Sequence, residues 1–404
     1  MAFDALKGWS SAQKHVAAAS YLGWTLDAFD FFLLVFVIKD VAGEFGTPIS
    51  DIALAVTLTL ALRPVGAFVF GRLADRFGRR PILMLDVALY SVLGFATAFA
   101  PNLTVFLIIR ALFGVAMGGE WGIGASLTME SVRPESRGFV SGLLQSGYPS
   151  GYLIASVAYG LLYAHIGWRG MFMLGILPAI LILYIRRNVP ESPAWDRERS
   201  SSAGIAGVLA RHWQLALYAI ALMTAFNFFS HGTQDLYPTF LQKQHHFDHT
   251  TVSAIAVLYN IGAILGGLTF GFLSQSLGRR RTMILCAALS LPVIWLWAFS
   301  QTAAVLALGA FLVQFFVQGA WGVVPAHLNE LSPPEARGTF PGTVYQLGNF
   351  IASYNAVLQA KIAESHDNKY SLALAGVAVA AAIAVMALAW LGREAREIDM
   401  ARPA

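Results

Sequence analysis

Seven charged residues, Asp27, Asp30, Arg63, Asp86, Arg110, Glu120 and Asp235, stand in stretches of sequence that are otherwise apolar. A charged side chain at bilayer depth costs roughly 2.5–3.5 kcal/mol on insertion scales, so such groups persist where they face a water-filled cavity or a partner. Their types suggest anion binding and proton transfer. A guanidinium is always charged and can hold both oxygens of a carboxylate. Arg63, beside Pro64 near the middle of its apolar stretch, therefore reads as an anchor for a carboxylate. At an effective dielectric near 20 such a pair gains about 4 kcal/mol at 4 Å. The competing reading is an interhelical salt bridge with Asp27 or Asp30.

Asp27 and Asp30 are three residues apart and so occupy adjoining positions on one helix face. Two carboxylates that close cannot both carry charge cheaply, which suits a residue that holds and releases a proton. A salt bridge to Arg63 or Arg110, or a hydrogen bond between helices, is the alternative. Glu120 follows Arg110 by ten residues, a rise of about 15 Å, so the two are not direct partners. Each must be matched from another helix or by water. Glu120 either lies on a proton path with Arg110, Asp27 and Asp30 or serves close packing around Trp121.

A third group lies further along. At 100° per residue, Asn227, Ser230, His231, Gln234, Asp235 and Pro238 fall within roughly 140° of one helix face. Lipid would penalise that stripe, so it is expected to face a cavity. His231 can donate to a carboxylate, while Asn227 and Gln234 offer donors for a hydroxyl or keto oxygen. Asp235 is placed to hold His231, because residues four apart are neighbours on a helix.

The elements that carry these residues follow from composition. The chain has 404 residues, 57% hydrophobic and only 12% charged, where a soluble protein carries about 25% charged residues. In water it could not avoid large exposed apolar patches. A soluble enzyme and a disordered chain are thereby excluded, and the single Cys286 rules out a disulfide framework. No basic tract points to nucleic acid. No metal site is expected, and His245, His246 and His249 read as a solvated outer loop. Met1 to His15 lacks an apolar core with a cleavage site and is not read as a removable signal.

Twelve apolar stretches, from 16–38 to 370–391, are each long enough to cross about 30 Å of hydrocarbon. A polar segment containing Pro190 and Pro193 divides six from six. The expected organisation is an N-terminal half (1–187), a cytoplasmic central loop (188–211), a C-terminal half (212–392) and a cytoplasmic tail (393–404). With both termini in the cytoplasm, 20 of the 27 Lys and Arg residues fall on the inner side, as orientation by positive charge requires. The expected location is the cytoplasmic (inner) membrane.

The halves repeat at an offset of 200 residues. Gly71 to Arg80 (GRLADRFGRR) returns as Gly271 to Arg280 (GFLSQSLGRR), Gly119 to Gly122 as Gly319 to Gly322, and Pro134 to Gly138 as Pro334 to Gly338. Two related six-helix halves imply a pseudo-twofold axis along the membrane normal, with a site between them. The repeat also acts as a filter. Residues kept in both halves are expected to build the scaffold; Glu130 and Glu330, at matching positions near the inner helix ends, read as scaffold or gate. The charges sit where the symmetry breaks: Asp27 matches Asn227, Asp30 matches Ser230, Arg63 matches Ala263, Arg110 matches Ala310 and Glu120 matches Ala320. In the other direction His231 matches Phe31, Gln234 matches Leu34, and Asp235 matches Val35.

Gly71 to Arg80 resembles the signature loop of the major facilitator superfamily, and Arg110-x-x-x-Gly114-x-x-x-Gly118 resembles a second motif of that superfamily. Asn227-x-x-Ser230-His231-x-Thr233-Gln234-Asp235-x-x-x-Thr239 resembles, at every specified position, the signature of Jen-type lactate/pyruvate permeases. Those are proton symporters grouped with sialate:proton symporters. The resemblance implies an all-α membrane protein of twelve helices in two pseudo-symmetric halves, working as a proton-coupled symporter of small monocarboxylates by alternating access. It implies a substrate site at Arg63, Asn227, His231, Gln234 and Asp235, with proton coupling at Asp27, Asp30, Glu120 and Arg110. Gly71, Asp75, Arg79 and Arg80 are then a cytoplasmic gate latch, which Asp86 would complete. No cofactor is expected beyond the proton, and a monomer suffices. In the expected coupling, an arginine pairs with a buried carboxylate until substrate takes the arginine and the carboxylate binds a proton.

Rival readings change the substrate to a dicarboxylate, aromatic acid, sialate or sugar, or replace transport by metabolite sensing. An enzyme has no support, since no motif joins a nucleophile to a base or metal.

Overall fold

The computed structural model describes residues 9–132, 134–191, 207, 210–333, 340–367, 369–394 and 396. These are helical throughout, with no strand among the described residues. The first half contains α1 (Ser11–Phe45), α2 (Ile49–Phe77), α3 (Arg79–Thr97), α4 (Leu103–Met117), α5 (Glu120–Ser131), α6 (Arg137–Met173) and α7 (Ala179–Asn188). The second contains α8 (Trp213–Gln234), α9 (Tyr237–Lys243), α10 (His249–Leu277), α11 (Arg279–Phe299), α12 (Ala303–Trp321), α13 (Val324–Leu331), α14 (Phe340–Ala352), α15 (Asn355–Glu364) and α16 (Tyr370–Leu391).

Polar caps start several of these helices, as the unsatisfied first-turn N–H groups require. Ser10 and Gln13 form a reciprocal capping box on α1, while Asn102 caps α4 and Asp248 caps α10. Between α2 and α3 the chain turns through Gly78 at φ 103°, and between α10 and α11 through Gly278 at φ 94°. Side chains resist that conformation, which accounts for glycine at both repeat-related turns.

Ten stretches are long and apolar enough to cross a membrane. One of them, Arg137–Asn188, has 52 residues. At 1.5 Å per residue it would measure about 78 Å as a straight helix, far more than a bilayer. Gly167 (φ 61°, ψ −174°) breaks it into two crossings. The paired short helices α14 and α15 supply one more, so the expected twelve are present among the described residues. Crossings four, seven, ten and eleven are interrupted, at the α4/α5, α8/α9, α12/α13 and α14/α15 junctions.

The halves meet along two seams. On one, α6 lies against α10 so closely that a Cβ on Gly271 would come within 2.7 Å of the Gly142 Cα. Ser141 Oγ donates to the Gly322 carbonyl (2.8 Å) near one end of the seam, and Ser253 Oγ to the Ser156 carbonyl (2.9 Å) near the other. Tyr159 and His249 Nδ1 share a further hydrogen bond there (2.7 Å), so His249 opens α10 and joins the halves rather than lying in a free loop. The second seam sets α14 against α2 and α5, with Gln346 donating to the Gly118 carbonyl (3.4 Å) and Tyr345 packed on Trp121 (4.5 Å).

Candidate functional site

The first half holds a buried set of charges. Asp27 and Asp30 of α1, Arg63 of α2, Asp86 of α3, Arg110 of α4 and Glu120 of α5 are each at most 1% exposed. All eight carboxylate oxygens lack a hydrogen-bond partner, as do the three guanidinium nitrogens of Arg110. Arg63 Nη2 donates to the Met117 sulfur at 3.2 Å. Its guanidinium lies 5.3 Å from the Phe31 ring, and that of Arg110 lies 4.0 Å from the Phe113 ring. Among the described residues no carboxylate of this set comes within salt-bridge distance of either arginine. The contact pairing expected from the sequence is therefore absent. The groups act on one another through space: Asp27 with Arg63 and Arg110, Asp30 with Arg110, and Glu120 with Asp27, Asp86 and Arg63.

Glycines make room for this set. The Glu120 carboxylate lies against Gly23 of α1, where any Cβ would collide with Oε1. Asp30 fits between Gly94 and Gly175, each of which would bring a Cβ within 3.1 Å of a carboxylate oxygen. Gly114 and Gly118 of α4 meet the backbone of α2 at Thr59 and Arg63, the close approach that small residues permit between membrane helices.

In the second half, His231 Nδ1 meets Asp235 Oδ1 at 3.1 Å, the i,i+4 pairing that the sequence suggested. The rest of the α8 stripe divides. Asn227, Ser230 and His231 line a small central cavity of about 10 Å³, together with Trp24, Gln145, Tyr148, Trp321 and Tyr345. Gln234 turns sideways instead, donating to Ser230 Oγ (3.1 Å) and to Gln314 of α12 (3.2 Å). Gln318 also donates to Ser230 Oγ, and Gln314 to Thr233. Helix α8 ends at Gln234, yet Asp235 keeps helical backbone and its N–H still donates to the His231 carbonyl, so only Pro238, beyond the break, leaves the continuous face that a single long helix would have had.

The cavity lies between the halves and every lining residue is buried. Arg63 is not in its wall. Tyr345, which does line it, interacts with Arg63 through its side chain, and Phe31 lies between Arg63 and His231.

At the signature loops, Glu191 accepts from the backbone N–H groups of Arg79 (2.9 Å) and Arg80. Glu394 does the same for Arg279 (3.1 Å) and Arg280 (3.2 Å). A carboxylate thus meets the positive N-terminal end of both α3 and α11. Arg80 also donates to the Arg186 carbonyl. Arg279 forms a two-point bridge to Glu330 (2.8 and 3.0 Å) and donates to Gln275, the repeat counterpart of Asp75. The side chains of Asp75 and Glu130, most of 188–211, the Pro334 to Gly338 motif and most of the tail lie outside the described residues. Gly71 lies within α2.

Asp86 corrects an expectation. It does not complete the latch, because eight residues along α3 raise it about 12 Å above Gly78. There it acts on Asp27 and Glu120. Sequence reasoning missed Trp24, Phe31, Tyr148 and Trp321, since aromatic residues in an apolar helix carry no distinguishing signal, and it missed Gln145, a lone amide on crossing five. It also missed Glu191 and Glu394, whose signal was there: each is an acid just beyond the last helix of a half. Of the polar residues on crossings ten and eleven, Tyr345 reaches the cavity and Tyr354 is exposed.

The family model described as Major Facilitator Superfamily matches residues 20–234 and 220–404. The chain is 28% identical over 374 residues to the carboxylic acid transporter protein homolog of Saccharomyces cerevisiae, covering 86% of this chain and 61% of that protein. It thus spans less than two thirds of the yeast relative. It is 30% identical over 363 residues to the probable 4-methylmuconolactone transporter of Cupriavidus pinatubonensis (87% and 84% covered). Identity to the sialic acid transporter NanX of Escherichia coli is 25% over 380 residues (93% of each). The crystal structure of the human organic anion transporter MFSD10 superposes with a TM-score of 0.73 at 16% identity, covering 92% of this chain and 99% of that one. That likeness concerns the fold.

Proposed function

The chain belongs to the Major Facilitator Superfamily, a family of transporters and not of enzymes, and on that premise we propose that it carries small monocarboxylates, lactate or pyruvate, together with a proton. The carrying observation is the central cavity between the halves, walled by Asn227, Ser230 and His231, with Arg63, which bridges no carboxylate among the described residues, one aromatic ring away. Carboxylates and related acids in the names of the relatives support an anionic substrate.

In this reading His231, steadied by Asp235, and Asn227 receive the hydroxyl or keto end of the acid. Gln234 serves indirectly, by fixing Ser230. Arg63 receives the carboxylate once the Phe31 ring, which separates it from the cavity, moves aside. The empty carrier holds Asp27 in the combined field of Arg63 and Arg110, acting at a distance instead of through contact. An anion on Arg63 cancels part of that field in a water-poor site, and Asp27, backed by Asp30 and Glu120, then takes a proton. One anion and one proton cross without net charge as the halves rock about the site. Cytoplasmic termini, a cytoplasmic-membrane location, two functional halves split at 188–211 and a monomeric unit belong to the same proposal, with the Arg79 and Arg80 loop as gate.

A second reading, transport of larger planar acids, draws on the four aromatic residues Trp24, Tyr148, Trp321 and Tyr345 in the wall. Proteoliposomes with an imposed pH gradient and a panel of labelled acids decide between them. Lactate accumulation that collapses with the gradient supports the proposal. Accumulation without a gradient, or preference for aromatic acids over lactate, overturns it.

A further inference from the structure

The buried set in the first half holds more acid than the coupling scheme uses. Four carboxylates, on Asp27, Asp30, Asp86 and Glu120, share the interior with two guanidiniums, on Arg63 and Arg110. None of their oxygens has a hydrogen-bond partner in the protein. An isolated charge in such surroundings costs several kcal/mol even after relaxation, so a net excess of two negative charges is not sustained. Two of the four must be neutral, and the proton is the agent that does this without a bound cation.

Position singles out one of them. Asp30 lies against Gly94 of α3. Asp86 is eight residues nearer the start of the same helix, about 12 Å closer to the Gly78 end. Glu120 lies against Gly23, one turn below Asp27 on α1. The acids therefore descend from Asp30 through Asp27 to Glu120 and Asp86, towards the signature-loop end. Tyr90, one turn from Asp86, has a fully buried hydroxyl without a partner, and it interacts with Glu120, Asp27, Asp30 and Asp86. The charged groups acting on this lower stage come from α1 (Asp27), α2 (Arg63, through Glu120) and α5 (Glu120).

We propose that Asp86, with the Tyr90 hydroxyl beside it, is a second proton-holding site, a relay between Asp27 and water entering at the signature-loop end. Asp86 touches no substrate. Its carboxylic acid releases its proton to water on the loop side when that end opens, and the carboxylate left behind is reprotonated by Asp27 or Glu120. Tyr90 donates a hydrogen bond to whichever carboxylate is charged. Glu120 and Asp86 then work as one stage, which accounts for a carboxylate that no latch contact explains.

The inference rests on the proton-symport reading, and two measurements separate their failures. First, infrared spectra of the purified protein in lipid at neutral pH are compared for the unmodified chain, Asp86→Asn and Asp86→Glu. The protonated-carboxyl band is expected to lose intensity in Asp86→Asn and to persist, shifted, in Asp86→Glu. An unchanged band in Asp86→Asn overturns the proposal whether or not transport is proton-driven. Second, Asp86→Asn and Tyr90→Phe are assayed in proteoliposomes. Exchange of labelled lactate should persist, which also shows that the variants fold. Gradient-driven uptake should fall by about a hundredfold in Asp86→Asn, the low end for loss of a positioned proton-transfer group, and Asp86→Glu should restore most of it. Gradient-driven uptake equal to the unmodified chain would overturn the relay and leave symport standing. Absence of such uptake in the unmodified chain would instead refute symport.

Discussion

Phe31 and His231 occupy equivalent positions in the two sequence repeats, and their rings meet, centroids 6.3 Å apart and planes at 74°. Residues related by a twofold touch only where they lie beside its axis, so this pair marks the pseudo-twofold at the centre of the protein. One half contributes a polar ring there and the other an apolar one. The apolar ring also covers the Arg63 guanidinium at 5.3 Å.

Phe31→Ala should therefore join the central cavity to Arg63. The expected result is a broader acid preference: competition by aromatic and longer-chain acids against labelled lactate strengthens by about tenfold, the scale of burying one or two extra methylene groups in an apolar pocket. An unchanged competition profile would show that the ring does not limit the site.

Arg63→Lys keeps the positive charge but replaces a planar fork by a point charge. Loss of one charge-assisted hydrogen bond corresponds to about 1.5–3 kcal/mol, or about tenfold or more in lactate affinity. Isothermal titration on purified protein measures it. Equal affinity would remove Arg63 from the substrate site.

Neutralising Asp27, Asp30 and Glu120 singly, to Asn, Asn and Gln, should separate binding from coupling. In at least one variant, Asp27→Asn first, labelled lactate still exchanges while accumulation on a pH gradient stops. If all three accumulate lactate normally, the proton is carried elsewhere.

Glu330→Ala should destabilise the protein by about 3–5 kcal/mol, because it leaves Arg279 as an uncompensated buried charge. Thermal unfolding in detergent, followed through tryptophan fluorescence, reads the loss. An unaltered melting temperature would mean that Ser274 and Gln275, which also accept from Arg279, suffice.

Gly271→Leu tests the α6–α10 seam. Its side chain would enter the space now filled by Gly142, whose Cα would lie 2.7 Å from the first added carbon. Transport should be lost while the melting temperature and surface expression survive, since the halves could separate but not close. Normal transport would show that the seam opens wider in the cycle than this conformer requires.

Much of this protein was legible without coordinates, and the reason is solvent. Lipid admits few charges, so the twelve crossings, the two halves and the residues worth asking about followed from composition, the 200-residue repeat and seven charged exceptions. The His231–Asp235 pair was legible too, because it needs only helix geometry. What required the tertiary structure were relations between helices. Spacing along one chain could not show that Arg63 and Arg110 stand apart from every carboxylate among the described residues, that Gln234 serves α12 instead of the cavity, or that Asp86 belongs with Asp27 and not with the loop. Nor could it reveal Phe31, an ordinary apolar residue until its repeat partner comes to face it. Helical periodicity reports which face a residue occupies; only packing decides what that face meets.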